Sequence, residues 1–270
     1  MKLQSYLERI GYSGDPAPTL ETLQAMHRAH FYRVPFENLD IGRGVRIEVD
    51  EQVIFDKIVR RHRGGFCLEL NALFAVALRA LGFSVDVIGA RMRDGTLSTP
   101  MSHMVLIVHL DEPWIADVGF GGRVVEPLRL NERDEQVFGA RRYVVANDGD
   151  HWFVTCSEPG SPTIRDRASD SVMAATRSYL FTMQPRALEE FQSACDWLQT
   201  SPDSRFTQGD VVSLATPSGR LTLAERRFIV IQDDNREEHA VASEDEESRI
   251  LRDRFGIKLP KLDRGTTESQ

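Results

Sequence analysis

The chain has 270 residues, of which 41% are hydrophobic and 27% are charged, and its formal net charge is −8. This length and composition predict a globular protein of two or three small modules, and the acidic balance excludes the basic surface typical of proteins that bind nucleic acid or anionic membranes. The sequence has no apolar run of about 18 residues, no signal-peptide core and only three widely spaced cysteines, so we expect a reduced, cytoplasmic protein without a membrane span, a disulfide framework or a metal site.

The first 82 residues show the apolar spacing of helices. Four segments have this spacing, at residues 3–10, 20–29, 51–60 and 70–81. Thr19 is a suitable N-cap for the second segment, and Gly82 stands where the C-cap of the fourth is expected. The fourth is the clearest, because its apolar residues form one face: Leu70, Leu73, Phe74, Ala77, Leu78 and Leu81.

From Phe83 the apolar period changes to two, which indicates strands. Five segments follow this period, at residues 84–90, 103–109, 114–118, 142–146 and 151–155. Later segments are a helix at 187–200, short strands at 211–215 and 227–231, a helix at 243–255, and a polar tail at 261–270 that we expect to be disordered. We predict an α+β fold with a helical domain at 1–82, a β-barrel domain at 83–186 and an α/β lid at 187–270.

Cys67 follows Gly64 and Gly65 and falls in the first turn of the fourth predicted helix. The free N–H groups and the dipole at a helix N-terminus favour a thiolate, and the same N–H groups could bind an oxyanion. Cys67 is therefore a candidate nucleophile, although a lone cysteine in an apolar stretch is more often a small buried hydrophobe. Cys156 and Cys195 have no preceding glycine turn, and we expect them to be structural.

A cysteine nucleophile works with a histidine base that a third group orients. His103 begins an apolar strand, and Asp117 interrupts the next one, where a bare buried carboxylate would be unfavourable. If the two strands form a hairpin that turns near residues 110–111, His103 and Asp117 lie opposite each other within one or two residues. His109 would lie in the turn, so His103 is the better candidate base and Asp117 its orienting group. A structural carboxylate that caps backbone N–H groups is the alternative for Asp117.

The remaining histidines give no such geometry. They lie in polar helical stretches, in a charged loop or after a tight turn, and we expect all of them to be solvated: His27, His30, His62, His151 and His239.

Several motifs make the chain resemble the arylamine N-acetyltransferases over nearly its whole length. They are FENL at 36–39, RGGFCLELN at 63–71, SH at 102–103, DVGFG at 117–121, PR at 185–186 and SPDSRFT at 201–207. The resemblance places the family's catalytic triad on Cys67, His103 and Asp117. It also implies a helical domain, a β-barrel and an α/β lid, with the thiol placed as in papain-like and transglutaminase-like enzymes.

The resemblance further implies a ping-pong reaction with acetyl-CoA as co-substrate, no metal, and small aromatic amines, arylhydrazines or N-hydroxyarylamines as acceptors. Ser102, Gly119 and Gly121 look like positions on the cofactor side. Phe36, Phe120 and Phe206 look like an aromatic acceptor pocket, with plain core packing as the alternative.

A buried Arg63 would need a partner, and Glu37 is the obvious one. We expect these two residues, with Asn38, to hold the active-site loop rather than to contact substrate.

Three other functions stay open at this point. One is a papain-like or transglutaminase-like amide hydrolase with the same triad, and another is an amide synthase of the same family that acts on a carrier-bound acyl chain. The third is a non-catalytic binding protein on this fold. The motifs argue against the hydrolase, but they do not separate the synthase from the acetylation of foreign amines. The preferred acceptor, the physiological substrate, the acyl-chain preference and the oligomeric state cannot be predicted.

Overall fold

A computed structural model describes residues 2–94, 96–139, 141–157, 176–233 and 235–260. The predicted disorder of the tail at 261–270 lies outside these residues. The α-helices in the described part are α1 (Leu3–Ile10), α2 (Leu20–Arg33), α3 (Leu39–Gly42), α4 (Glu51–Phe55), α5 (Cys67–Ala80), α6 (Gln192–Thr200) and α7 (Glu244–Phe255). A π-helical turn (Asp56–Arg60) continues α4, and a 3-10 turn (Leu188–Phe191) leads into α6. Within the same residues, none of the helices is both long and apolar enough to cross a membrane.

The strands form two sheets. Nine lie in a barrel-like sheet: β2 (Ser84–Asp94), β3 (Thr96–Leu97), β4 (His103–His109), β5 (Pro113–Ala116), β6 (Leu128–Arg129), β7 (Gln136–Phe138), β8 (Arg141–Asp148), β9 (His151–Ser157) and β10 (Thr176–Pro185). Eight of them follow the order β6-β5-β4-β2-β10-β9-β8-β7, and β3 pairs with β2. The second sheet has the order β1 (Phe36–Glu37), β11 (Val211–Thr216), β12 (Gly219–Ala224), β13 (Arg227–Gln232) and β14 (Asn235–Ala240).

Helix α5 lies at the centre of the largest hydrophobic core. Along Cys67–Leu78 every residue except Val76 is buried, and the helix packs against β4 and β2. Its N-terminus is capped by Glu69, whose carboxylate accepts from the Phe66 N–H at 3.1 Å. Gly82 follows its C-terminal end at φ 90°, a left-handed conformation that suits glycine. The first turn of α5 is therefore held inside the protein rather than at its surface.

Strand β4 is buried along most of its length between β2 and β5. The predicted hairpin of β4 and β5 is present, with Ile107 opposite Ile115. Strand β5 ends at Ala116, earlier than the predicted 114–118. Asp117 therefore lies just after the strand, where the chain leaves the sheet.

The second sheet combines distant parts of the chain, because β1 pairs with β11. Strands β11 and β13 were predicted from the sequence, but β12 and β14 were not. In the barrel-like sheet, β10 and the short strands β3, β6 and β7 were not predicted. All residues of β14 are exposed, so its apolar pattern is weak. The division of the chain at residues 82 and 186 stays a prediction.

Candidate active site

Two glycines bring the loop before Cys67 against strand β1. The Gly65 N–H donates to the Pro35 carbonyl at 3.3 Å, and the Glu37 N–H donates to the Gly65 carbonyl at 2.9 Å. A Cβ atom on Gly64 would lie 2.0 Å from the Pro35 oxygen, so only glycine allows this approach. The loop therefore enters α5 in one defined path, with Cys67 as the first residue of the helix.

A buried ionic network lies beneath this loop; it consists of Glu37, Asp40, Lys57, Arg63 and Glu69. The Arg63 guanidinium donates to Glu37 at 2.9 Å and to Asp40 at 2.8 Å. The Lys57 ammonium lies 2.9 Å from both Asp40 and Glu69. Burial disfavours the charged Lys57, but the surrounding carboxylates overcome this effect and raise its pKa. The expected pairing of Arg63 with Glu37 is therefore present within a larger set of charges.

Asn38 connects the same region to the C-terminal sheet. Its Nδ2 donates to the carbonyls of Phe206 and Gly209, both at 3.0 Å, and its Oδ1 accepts from the Val211 N–H at 2.7 Å. Asn38 thus holds the segment that carries Phe206 close to the loop before Cys67.

The structure brings Cys67, His103 and Asp117 together in the interior. Their exposed fractions are 4%, 1% and 0%, and His103 Nε2 lies 2.8 Å from Asp117 Oδ2. Extending the β4–β5 register places His103 opposite position 119, two residues from Asp117. The Cys67 thiol donates to the Ser102 carbonyl at 3.6 Å, immediately beside His103. One imidazole nitrogen is therefore bound to a carboxylate, and the ring also interacts with the thiol.

The charges of this group are coupled. Burial opposes a charged imidazole, but Asp117 and Cys67 overcome it and raise the pKa of His103 to about 10. Burial likewise opposes a charged Asp117, yet His103, Asn71 and the Gly119 N–H together lower the pKa of this carboxyl. An imidazolium–carboxylate pair beside a thiol is an arrangement that supports a cysteine nucleophile.

Asn71 and Gly119 hold the Asp117 carboxylate against α5. Asn71 Nδ2 donates to Asp117 Oδ1 at 2.9 Å, Asn71 Oδ1 accepts from the Val118 N–H at 2.9 Å, and the Gly119 N–H donates to Asp117 Oδ1 at 2.9 Å. A Cβ on Gly119 would lie 2.8 Å from the Cys67 carbonyl oxygen and 2.7 Å from Asn71 Nδ2. Close packing on α5 thus accounts for a glycine here without any cofactor.

The prediction that His27 and His30 are solvated is wrong. Both side chains are fully buried, and His27 Nε2 accepts from the Asp117 N–H at 3.2 Å. The spacing of α2 explains the error, because the two histidines fall on the same helical stripe as Leu23, Met26 and Phe31. That stripe was the signal that could have identified them as interior residues.

Aromatic rings surround the site in two groups. Phe120 packs beside His103 at a centroid distance of 5.7 Å, and Tyr179 contacts both rings at 5.2 and 5.1 Å. Tyr179 was not predicted, since it lies on the unpredicted strand β10; burial and the nearby Asp117 raise its pKa. The ring centroids of Phe36 and Phe206 are 6.2 Å apart. Phe66, which was not predicted at this site, makes an edge contact with Phe206 at a centroid distance of 5.8 Å.

The predicted cofactor-side residues lie next to the triad. Ser102 is buried, and its hydroxyl pairs with that of Ser98. Gly121 is partly exposed and has a left-handed φ of 57°, so the chain turns sharply just after Phe120. A Cβ on Gly121 would lie 3.2 Å from the Arg123 guanidinium, which also lies over the Phe120 ring.

The other candidate groups lie elsewhere. Cys156 and Cys195 are buried cysteines that form no disulfide, and His109 pairs with Asp86 at 2.8 Å on an exposed part of the sheet. Across the residues that the structure describes, no group of three or more histidines, cysteines and carboxylates is arranged to hold a metal ion.

Comparison with known proteins assigns the chain to a family. An N-acetyltransferase family model matches residues 19–264. The arylamine N-acetyltransferase pineal gland isozyme NAT-3 of Gallus gallus is 35% identical, over 97% of this chain and 96% of the relative. The solved arylamine N-acetyltransferase of Salmonella typhimurium has a TM-score of 0.85 and 29% identity, over 98% of this chain and 94% of that one. The Mycobacterium marinum enzyme, solved in complex with CoA, has a TM-score of 0.83 and 28% identity, over 95% and 93%. The chain therefore belongs to the arylamine N-acetyltransferase family.

Proposed function

We propose that this protein transfers an acetyl group from acetyl-CoA to aromatic amines through a thioester on Cys67. The observation that carries the proposal is the buried group of Cys67, His103 and Asp117, with a His103–Asp117 distance of 2.8 Å. Family membership supplies the reaction class, and the CoA complex of a relative supports the donor.

In the first half-reaction, Cys67 Sγ attacks the thioester carbonyl of acetyl-CoA, and the bond between that carbonyl and the CoA sulfur breaks. CoA leaves as a thiolate and takes the proton from His103. Because one thioester replaces another, the step needs no large driving force. The N–H groups in the first turn of α5 would stabilise the oxyanion, since they point toward the thiol end of the helix.

In the second half-reaction, the amine nitrogen attacks the acetyl carbon and gives its proton to His103, while Cys67 leaves as a thiolate. Acetylation removes the charge that Cys67 presents to His103, and this charge is one of the causes that raise the His103 pKa. The pKa of His103 is consequently lower in the acetyl-enzyme than in the free enzyme, so a larger fraction of the imidazole is unprotonated and available to take the amine proton. Asp117 keeps the ring oriented through both steps.

We expect the flat ring of the acceptor to bind at Phe36, Phe120 and Phe206. The rings of Phe36 and Phe206 lie at the loop before Cys67, and the ring of Phe120 lies beside His103. Ser102, Gly119 and Gly121 would line the path of CoA. Arylhydrazines and N-hydroxyarylamines are included among the acceptors, since their terminal nitrogen or oxygen is also a nucleophile at neutral pH. We expect the enzyme to act in the cytoplasm, and its role there to be the acetylation of foreign aromatic compounds.

Intact mass spectrometry tests this proposal. The protein is incubated with acetyl-CoA alone, and we expect one added acetyl group that an arylamine then removes as the acetylated amine. The variant Cys67→Ala should stay unmodified, while Cys195→Ala, which removes another buried thiol, should be acetylated like the wild type. An unmodified wild-type protein, or acetylation that survives in Cys67→Ala, would contradict the proposal.

A further inference from the structure

A nine-residue segment, 117–125, carries two of the groups that contact the imidazole of His103, Asp117 and Phe120. It starts with Asp117, continues through Gly119, which packs against Cys67, and contains Phe120, which packs on the His103 ring. The segment lies between the end of β5 and the start of β6. Its position decides where the Asp117 carboxylate meets His103.

One side chain from another element binds both ends of this segment. His27, on helix α2, accepts from the Asp117 N–H through Nε2 at 3.2 Å and donates to the Val125 carbonyl through Nδ1 at 3.2 Å. The residues are 90 and 98 positions apart in sequence. The imidazole of His27 thus joins the two ends of the segment, and we call these two hydrogen bonds the clip.

The Val125 carbonyl and the Asp117 N–H determine which nitrogen of the His27 ring carries the hydrogen. A carbonyl can only accept and an amide N–H can only donate, so Nδ1 must carry the hydrogen and Nε2 must be bare. Burial lowers the pKa of His27 to about 4, although the Asp117 carboxylate and the Val125 carbonyl act in the opposite direction. The ring is therefore neutral at physiological pH, which keeps both hydrogen bonds in place.

We propose that His27 is a positioning residue for the Asp117–His103 pair, and that it acts by holding the two ends of segment 117–125 at a set separation. The inference rests on the proposed function, because it assigns His27 a part in that reaction. Without the clip, the Asp117 backbone is free to shift, and the carboxylate and the Phe120 ring shift with it. Small displacements of this kind reduce turnover strongly, since proton transfer depends on alignment.

His30 provides a matched control on the same helix. It is also fully buried, it contacts the same Phe74 ring as His27, at 5.6 Å against 5.7 Å, and its Nδ1 is hydrogen-bonded to Tyr6 at 2.8 Å. Its hydrogen bond is made to α1 and not to segment 117–125. Replacing either histidine with leucine removes a similar buried imidazole, but only one replacement removes the clip.

The experiment compares His27→Gln, His27→Asn, His27→Leu and His30→Leu. A glutamine can still offer an acceptor to the Asp117 N–H, an asparagine can still donate to the Val125 carbonyl, and leucine can do neither. We expect kcat to fall by about 10- to 100-fold in His27→Leu, with the KM for the arylamine changed less than about threefold. His27→Gln should recover most of the loss, His27→Asn should recover less, and His30→Leu should keep kcat within about threefold of the wild type.

A second readout does not depend on the substrate. The rate of Cys67 alkylation by iodoacetamide is measured against pH in each variant, because it reports the coupling of the thiol with His103. In His27→Leu we expect the midpoint of this profile to move to higher pH, while His30→Leu keeps the wild-type midpoint.

The outcomes separate this inference from the proposed function. If the wild type forms no acetyl-enzyme, the proposed function fails, and the alkylation profile still tests His27. The inference is overturned if His27→Leu and His30→Leu lose thermal stability alike while both keep the wild-type kcat and alkylation profile. It is also overturned if His27→Gln is as impaired as His27→Leu, with both variants folded by circular dichroism.

Discussion

Two buried polar groups lie beside the N-terminus of α5, and they are built differently. In the ionic network of Glu37, Asp40, Lys57, Arg63 and Glu69, each charge is met by an opposite charge within the network. In the triad, the Asp117 carboxylate meets one imidazole, and its other hydrogen bonds come from the neutral groups of Asn71 and the Gly119 N–H. The first arrangement gives a static frame, whereas the second leaves the imidazole free to exchange its proton.

The first turn of α5 contributes one residue to the ionic network and one to the triad. Glu69 belongs to the network and caps α5, while Cys67, two residues earlier, belongs to the triad. Lys57 pairs with Glu69, the member of the network that lies on the same helix turn as Cys67. Changes to the triad should therefore act on turnover, and changes to the network should act on stability.

The largest expected effect is on turnover, in Asp117→Asn. The amide still fits the site but no longer supports an imidazolium, so we expect kcat/KM for acetyl transfer to fall by at least about 100-fold. The unfolding midpoint in urea should fall by less than in a variant that breaks the ionic network. Steady-state kinetics with acetyl-CoA and an arylamine measure the first quantity, and a variant with near-normal kcat/KM would show that Asp117 does not orient His103.

The variant Lys57→Met should lose stability more than turnover. The substitution leaves the buried Glu69 without a cation and leaves Asp40 paired with Arg63 alone. Losing one partner of a buried ion pair costs about 3–5 kcal/mol of unfolding free energy. Urea unfolding followed by fluorescence measures this change, and the double variant Lys57→Met/Glu69→Gln should recover part of it. If kcat fell as far as in Asp117→Asn while the unfolding curve stayed unchanged, the division between frame and triad would be wrong.

The smallest expected effect is a pH dependence of stability. The pKa of His103 is raised from 6.5 to about 10 in the folded protein, so its contribution is fully present below pH 6.5 and is lost as the pH rises through about 10. The unfolding free energy of the wild type should therefore decline between neutral pH and pH 10 more than that of Asp117→Asn. Parallel pH curves for the two proteins would contradict the raised pKa.

Much of this architecture could be predicted from local patterns. The helices and the β4–β5 hairpin follow apolar periods, and the hairpin register placed His103 within reach of Asp117. The pairing of Arg63 with Glu37 followed from the unfavourable burial of an unpaired charge. These predictions succeed because each depends on nearby residues or on one strong energetic rule.

The contributions of distant elements could not be predicted in the same way. Tyr179 reaches His103 from β10, and His27 reaches Asp117 from α2, across 90 residues. No local period encodes such a contact, and the polar side chain of His27 predicts exposure although its helical stripe is apolar. The positions of partners around a candidate triad are set by tertiary packing.

The pairing of β1 with β11 also has a consequence for the order of assembly. Strand β1 supports the loop before Cys67 through Gly65, and Asn38, which follows β1, binds Val211 across 173 residues. Such non-local closures form late, because the entropy of a long loop must be overcome before the contact gains anything. During synthesis on the ribosome, residues near 211 must emerge before this support is complete. A nascent chain that already contains Cys67, His103 and Asp117 is consequently expected to be inactive until its C-terminal sheet begins to fold.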